Sequence, residues 1–193
     1  MKDKVELFFD SVAENWDKTN NISSEILEKI ADIAGIAENK SILDVGCGTG
    51  VMLPVILKRN PQKITAVDIS QRMIDMAKRK HNDEIISFVC CDITSFFPQE
   101  EFDCVTVHNA FPHFLRQNEA LENLKALTKQ GGTLTVAHSI SRADVLKCHE
   151  NIPDISVELP EAYELSKMFG SDFEKFTVIS DENSYIVSAT RKR

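Results

Sequence analysis

The feature that most constrains this fold is an apolar run that contains an acid and leads directly into three closely spaced glycines. Residues 42–50 read ILDVGCGTG, with glycine at positions 46, 48 and 50. Such a run is typical of a buried strand, and glycine permits a tight turn with close approach of a ligand to the backbone. Because a helix is predicted directly after the turn, its first N–H groups would face that ligand.

The rest of the chain alternates short β-branched runs with amphipathic runs of helix length, which is typical of a parallel sheet flanked by helices. The predicted strands are 41–45, 63–67, 85–89, 102–107 and 133–137, and the predicted helices are 4–17, one after 23–25, 51–59, one after 70, and 117–128. A glycine pair at 131–132 predicts a turn before the fifth strand. The runs 173–179 and 185–190 predict a hairpin at the sheet edge.

Length and charge narrow the class of protein. A chain of 193 residues with 42% hydrophobic and 27% charged residues fits one domain, here taken as 1–193. The net charge of −8 and the scattered Lys and Arg disfavour a nucleic-acid substrate. No apolar run is long enough to span a bilayer, and the N-terminus turns acidic too early for a secretory signal. We therefore expect a cytoplasmic protein without membrane insertion.

The acid and the glycine spacing favour an aminoacyl nucleoside over a dinucleotide as the ligand. A nicotinamide site prefers Gly-x-Gly-x-x-Gly with a pyrophosphate on the helix N-terminus, whereas Gly50 comes one residue early. Asp44, two positions before the first glycine, would repel a pyrophosphate. It would instead accept hydrogen bonds from a cationic amino group.

Two further acids follow the next two predicted strands. Asp68 is placed to accept both hydroxyls of a ribose, and Asp92 is placed to accept the exocyclic amine of adenine. The apolar residues expected to sandwich the adenine ring are Ile69, Met73 and Ile93. A single Asp at a strand end is more often a helix cap or turn residue. Three acids in register with the α/β alternation nevertheless favour a ligand site.

Taken together, these residues resemble the class I S-adenosylmethionine-dependent methyltransferases, in particular the methyltransferase type 11 group that contains the quinone-biosynthesis C-methyltransferases. The likeness covers 8–17, 41–138 and the final hairpin, and 43–50 is its specific part. The resemblance implies an α/β Rossmann-like three-layer sandwich, with a seven-stranded, mostly parallel sheet whose last strand is antiparallel. It implies S-adenosyl-L-methionine as the cofactor and methyl transfer to a small-molecule acceptor.

The resemblance also implies which residues hold each part of the cofactor. Those implied for the methionine end are Asp44, Gly46, Cys47 and Gly48. Those implied for the nucleoside are Asp68 for the ribose and Asp92 with Ile93 for the adenine. Asn109 would approach the sulfonium, and Trp16 would close the site as part of an N-terminal cap over 1–38.

The sequence departs from two subclasses of this family after the fourth strand. Residues 108–113 lack the Asn-Pro-Pro-Tyr type of sequence found in methyltransferases that modify adenine or glutamine amines. They also lack the acidic metal ligands of catechol-type enzymes. Segment 140–170 matches no element of the family, and we interpret it as a helical lid over the acceptor.

The acceptor side carries histidines. Those that follow residue 107 are His108, His113, His138 and His149. We hypothesise that His113 or His138 is a general base or orienting group, although ordinary polar residues at strand ends remain an alternative. A metal site with Cys148 is not expected, because the spacing matches no metal signature. Candidates for apolar pocket walls, or for the core, are Phe111, Phe114, Met168 and Phe169.

Two other functions stay open at this point. One is a module that binds S-adenosylmethionine without catalysis, and the other is a nicotinamide-dependent oxidoreductase. The glycine spacing and Asp44 disfavour the oxidoreductase, and the histidines on the acceptor side favour an enzyme over the binding module.

Overall fold

The structure, a computed structural model, describes residues 3–19, 22–150 and 152–193. Within these ranges seven strands form one sheet in the order β3-β2-β1-β4-β5-β7-β6. The strands are β1 (Ser41–Val45), β2 (Lys63–Asp68), β3 (Ile86–Cys90), β4 (Phe102–His108), β5 (Thr128–His138), β6 (Phe173–Ser180) and β7 (Tyr185–Arg191). β7 is antiparallel to both neighbours, and the pairs from β3 to β5 are parallel. The predicted Rossmann-like sheet with an antiparallel last strand is confirmed.

The helices cover both faces of this sheet. They are α1 (Lys4–Val12), α2 (Trp16–Thr19), α3 (Ser24–Ile33), α4 (Leu53–Leu57), α5 (Gln71–Lys80), α6 (Gln117–Leu127), α7 (Arg142–His149) and α8 (Ala162–Met168). Serine side chains cap three of the helices by accepting a backbone N–H bond, which is why these helices begin where they do. The capping residues are Ser23 for α3, Ser70 for α5 and Ser141 for α7. No helix in the described ranges is long and apolar enough to cross a membrane.

Three predicted elements differ from the structure. The predicted helix 4–17 is interrupted by a 3₁₀ turn at 13–15, and the helix predicted at 51–59 is confined to α4. The glycine pair at 131–132 lies inside β5, where the pairing with β4 shifts register. A Cβ at Gly132 would lie 2.8 Å from the Asp103 carbonyl oxygen, so glycine lets the strand continue through this irregularity.

The core occupies both faces of the sheet. Successive residues of β1 alternate between them: Leu43 and Val45 pack with one hydrophobic cluster, and Ile42 packs with the other. All five residues of β1 are buried, as expected for a central strand of a parallel sheet covered on both faces.

This topology fixes where a ligand binds. The chain runs outward from β1 to β2 and β3 on one side, and β4 and β5 lie on the other side of β1. At this change of direction the helices diverge, which leaves a crevice at the carboxyl ends of the strands.

Candidate cofactor and acceptor site

A cavity of about 360 Å³ opens at the carboxyl ends of β1, β2, β4 and β5. We call the part lined by the glycine turn (residues 46–50) and the ends of β2 and β3 the cofactor half. The part lined by the ends of β4 and β5 and by α7 is the acceptor half. Lining residues predicted from sequence are Trp16, Gly46, Cys47, Asp68, Ile69, Met73, Asp92, Ile93, Asn109, His113 and His138. The described lining includes neither Asp44 nor Gly48.

The glycine turn is hydrogen-bonded to the end of β2. The N–H groups of Gly46 and Cys47 donate to the Val67 carbonyl at 2.8 and 3.0 Å. Gly46 has a φ of +66°, and a side chain there would collide with the Cβ of Ala110, which follows β4. Only glycine therefore permits this turn to pack against the neighbouring loop while its backbone lines the cavity.

Asp68 links the turn to the start of α5. Its carboxylate accepts hydrogen bonds from the N–H of Gly48 at 2.8 Å and of Ser70 at 2.9 Å. Burial raises the pKa of Asp68 to about 6, against the opposing effect of these backbone hydrogen bonds. Gly48 thus supports Asp68 through its N–H, and its predicted role at the methionine end of the cofactor stays a prediction.

Asp44 is the exception among the three predicted acids. Its side chain is only 1% exposed, and Oδ1 lies 3.4 Å from the hydroxyl of Thr106, its partner on β4. Oδ2 has no hydrogen-bond partner among the described residues. Burial, with a contribution from the charge of Asp68, raises the pKa of Asp44 to about 7. The Asp44 carboxyl group therefore lies beside β4 and outside the described lining, and its contact with a cationic amino group stays a prediction.

Asp92 combines two roles. Its Oδ1 atom caps the 3₁₀ turn at 93–95 by accepting from the N–H of Thr94 at 2.8 Å. Arg116 donates to Oδ2 at 3.2 Å and also contacts the Thr94 hydroxyl. Asp92 and Arg116 both line the cavity. No signal in the sequence connects them, because they lie 24 residues apart on different elements.

The N-terminal helices are held against the cofactor half by polar contacts. The Thr49 hydroxyl donates to Asp17 at 2.6 Å, and Lys80 donates to the same carboxylate at 2.9 Å. Trp16, beside Asp17, lines the cavity and packs edge-on against Phe9 with ring centroids 5.6 Å apart. Residues 1, 2, 20 and 21 of the predicted N-terminal cap lie outside the described residues.

Two buried histidines dominate the acceptor half. His108 and His138 are 5% and 3% exposed, at the ends of the neighbouring strands β4 and β5. Both ring nitrogens of His108 and Nε2 of His138 lack a hydrogen-bond partner within the described chain. Burial lowers the pKa of His108 to about 4 and that of His138 well below its usual range. Both rings are therefore neutral at pH 7 and have nitrogens without a hydrogen-bond partner in the described chain.

Asn109 and His113 line the cavity but use their polar atoms within the protein. The Asn109 amide exchanges two 2.9 Å hydrogen bonds with Ser139, which join the ends of β4 and β5. In His113, Nδ1 lies 3.0 Å from the Ile155 carbonyl oxygen and Nε2 lies 3.2 Å from Nε2 of His149. Because Nδ1 of His113 faces the Ile155 carbonyl oxygen and Nε2 faces the ring of His149, the hypothesis of a general base rests on His138.

Segment 140–170 divides into two parts. The first lines the acceptor half through Ile140, Val145, Cys148, His149 and Ile152. The second contains α8, which contacts β6 and β7 instead. Only the first part therefore lies where the predicted lid would lie, and residue 151 within it is outside the described chain.

The four candidates for apolar pocket walls also differ in position. Phe114 lines the cavity, whereas Phe111 and Phe169 are core residues and Met168 packs against the core.

Comparison with known proteins identifies the family. Residues 43–136 match the family model described as a methyltransferase domain. The segment 43–136 is a methyltransferase domain. This confirms the predicted family, its type of enzyme and its cofactor.

The relatives of this methyltransferase differ in acceptor. It is 26% identical over 191 residues to malonyl-[acyl-carrier protein] O-methyltransferase 1 of Ilyobacter polytropus, covering 97% of this chain and 69% of the relative. It is 30% identical over 141 residues to demethylmenaquinone methyltransferase of Renibacterium salmoninarum, covering 70% of this chain and 58% of the relative. Because these names specify different acceptors, family membership leaves the acceptor open.

A solved structure supports the fold of the methyltransferase. The N-methyltransferase NodS of Bradyrhizobium japonicum, in complex with S-adenosyl-L-homocysteine, aligns with a TM-score of 0.78 at 15% identity. The alignment covers 99% of this chain and 100% of that chain. A likeness at this identity shows the shared fold alone.

Proposed function

We propose that this chain transfers the methyl group of S-adenosylmethionine from the cofactor half to a small-molecule acceptor in the acceptor half. The observation that carries the proposal is that Asp68 and His138 line one continuous cavity. S-adenosylmethionine supplies a methyl group already activated on a sulfonium. The protein therefore has mainly to position the acceptor and exclude water.

The cofactor half fits an aminoacyl nucleoside. Asp68 retains lone pairs for the two ribose hydroxyls beside its backbone hydrogen bonds. Ile69, Met73 and Ile93 give an apolar slot for the adenine, next to the carboxylate of Asp92. The unpartnered Oδ2 of Asp44 favours a cationic group nearby, acting across the glycine turn rather than through direct contact.

The acceptor half fits a molecule with a protonated heteroatom, such as a hydroxyl group, on a mainly apolar body. Its walls include Phe9, Phe114 and Val145, and its polar groups include the neutral imidazoles of His108 and His138. In the proposed reaction the acceptor oxygen bonds to the methyl carbon as the carbon–sulfur bond breaks. His138 accepts the hydroxyl proton, and His108 orients the acceptor.

The experiment is a screen of hydroxylated, carboxylated and amine metabolites for release of S-adenosylhomocysteine by the purified protein. We expect turnover with an acceptor of the hydroxyl class. Tight cofactor binding without turnover on any class would instead support a binding module and would contradict the proposal.

A further inference from the structure

Two histidines in the acceptor half face each other through the same type of ring nitrogen. His113 lies in the 3₁₀ turn at 111–113, and His149 is the last residue of α7. Their Nε2 atoms are 3.2 Å apart. The pair therefore joins α7 to the loop that follows β4, across 36 residues of sequence.

The hydrogen-bond partners fix which nitrogen of each ring carries a hydrogen. Nδ1 of His113 lies 3.0 Å from the Ile155 carbonyl oxygen, and Nδ1 of His149 lies 2.6 Å from the Val145 carbonyl oxygen. A carbonyl oxygen only accepts, so each Nδ1 must donate. In the neutral rings both Nε2 atoms then carry lone pairs, and these lone pairs face one another without a hydrogen between them.

We propose that Nε2 of His113 and Nε2 of His149 together bind a divalent transition-metal ion of the zinc, nickel or copper class. Two nitrogens 3.2 Å apart, each about 2.0–2.1 Å from a metal, subtend about 100° at the ion, close to the tetrahedral angle. Histidines that ligate metals commonly donate the other ring N–H to a backbone carbonyl. Both members of this pair have that arrangement.

The surroundings favour a metal over a shared proton. The ring of Phe9 packs edge-on against His113 at a centroid distance of 4.8 Å, so the pair lies beside an apolar side chain. The neutral imidazole is the form that ligates a metal. A metal ion satisfies both lone pairs without requiring an imidazolium.

The site has open coordination positions. In the described ranges no group of three His, Cys, Asp or Glu residues is arranged to hold a metal. The remaining positions would therefore be taken by water or by a heteroatom of the acceptor, since both histidines line the acceptor half. Metal sites that bind substrates keep a coordination position open for water or for the substrate. A bound ion would also link α7 to the loop that follows β4, beside the acceptor half.

The test is metal binding by the full chain, which is independent of methyl transfer. After removal of metal with a chelator, calorimetric titration with NiCl₂ is expected to show one site. His149→Gln is expected to weaken its affinity at least about tenfold, because one of two ligands is lost. The matched control is His81→Gln, since His81 is the histidine outside the acceptor half, and it is expected to keep the affinity.

A second measurement does not depend on any variant. With one equivalent of Cu²⁺ and ¹⁵N-labelled histidine, electron paramagnetic resonance is expected to show coupling to two imidazole nitrogens. The absence of binding at millimolar metal, equal affinity in His149→Gln, or coupling to fewer than two nitrogens would overturn the proposal. Binding of S-adenosylhomocysteine, measured on the same samples, tests the proposed function separately.

Discussion

The two halves of the cavity differ in how their polar groups are held. In the cofactor half, Asp68 and Asp92 accept backbone N–H bonds from residues close to them in sequence or from the adjoining turn. In the acceptor half, His108 and His138 have unpartnered ring nitrogens within the described chain. The matched methyltransferase domain, 43–136, contains the whole glycine turn but ends before His138. The two carboxylates of the cofactor half are therefore held by backbone hydrogen bonds, whereas the two buried imidazoles of the acceptor half have nitrogens without such partners.

The largest effect is expected from His138→Ala. Loss of a general base lowers turnover by about 10²- to 10⁴-fold, while the affinity for S-adenosylhomocysteine stays unchanged because the ring belongs to the acceptor half. Turnover is measured by release of S-adenosylhomocysteine at saturating cofactor, and the affinity for S-adenosylhomocysteine is measured by calorimetry. His81→Ala is the matched control. If both variants turn over at the wild-type rate, the acceptor half is not the site of proton transfer.

A smaller effect is expected from Asp68→Asn, which tests the cofactor half alone. Loss of charge-assisted hydrogen bonds to the ribose is expected to raise the Kd for S-adenosylhomocysteine about 100-fold, or about 2.7 kcal/mol. The control is Asp103→Asn, because Asp103 also accepts a backbone hydrogen bond, from Ser41, but does not line the cavity in the described chain. This control is expected to lower the Tm and keep the affinity. An equal loss of affinity in Asp68→Asn and Asp103→Asn would contradict the assignment of Asp68 to the ribose.

The third prediction concerns pH and Asp44. Its pKa of about 7 lies above the ordinary 3.8, so its contribution to stability is present below pH 3.8 and is lost as pH rises through 7. The buried histidines act oppositely, but their pKa values fall below 6.5, so their effect lies at lower pH. Between pH 6.5 and 7.5 the Tm of the ligand-free protein is therefore expected to fall.

Ligand affinity is expected to change in the opposite direction over the same range. Ionisation of Asp44 favours the cationic amino group of the ligand, so affinity rises as pH increases, by a factor of up to about ten per charge. Thermal melts and calorimetry at several pH values check both trends. Asp44→Asn should flatten both curves, and unchanged curves in this variant would show that another group titrates.

The smallest effect is expected at the contact between α2 and the glycine turn. Asp17→Asn weakens the hydrogen bond from Thr49 and the ion pair with Lys80, which together contribute about 1 kcal/mol. Dissociation of S-adenosylhomocysteine is expected to accelerate about fivefold in stopped-flow measurements. Glu28→Gln, which weakens the ion pairs with Lys58 and Arg59, is the control. Equal rates in both variants would show that α2 does not retain the ligand.

Most of the fold followed from local sequence. Each strand, and the start of a helix such as α5 with its capping residue Ser70, is signalled within a few positions. The exceptions are places where a distant partner decides the conformation. The glycines at 131–132 read as a turn because nothing local shows that β4 shifts register against them.

The site was predictable to a different extent in each half. Asp68 and Asp92 line the cavity because the ends of parallel strands meet at one edge. Asp44 turns instead toward Thr106, a contact set by the pairing of β1 with β4. The partners of Arg116 and His149 come from distant segments, so no spacing in the sequence indicated them.

A crystal structure of the protein with S-adenosylhomocysteine tests the central claim most directly. The account predicts one ligand in the cofactor half, with both ribose hydroxyls within hydrogen-bond distance of the Asp68 carboxylate and the adenine between Ile69 and Ile93. A ligand bound elsewhere, or an Asp68 carboxylate without contact to the ribose, would contradict it.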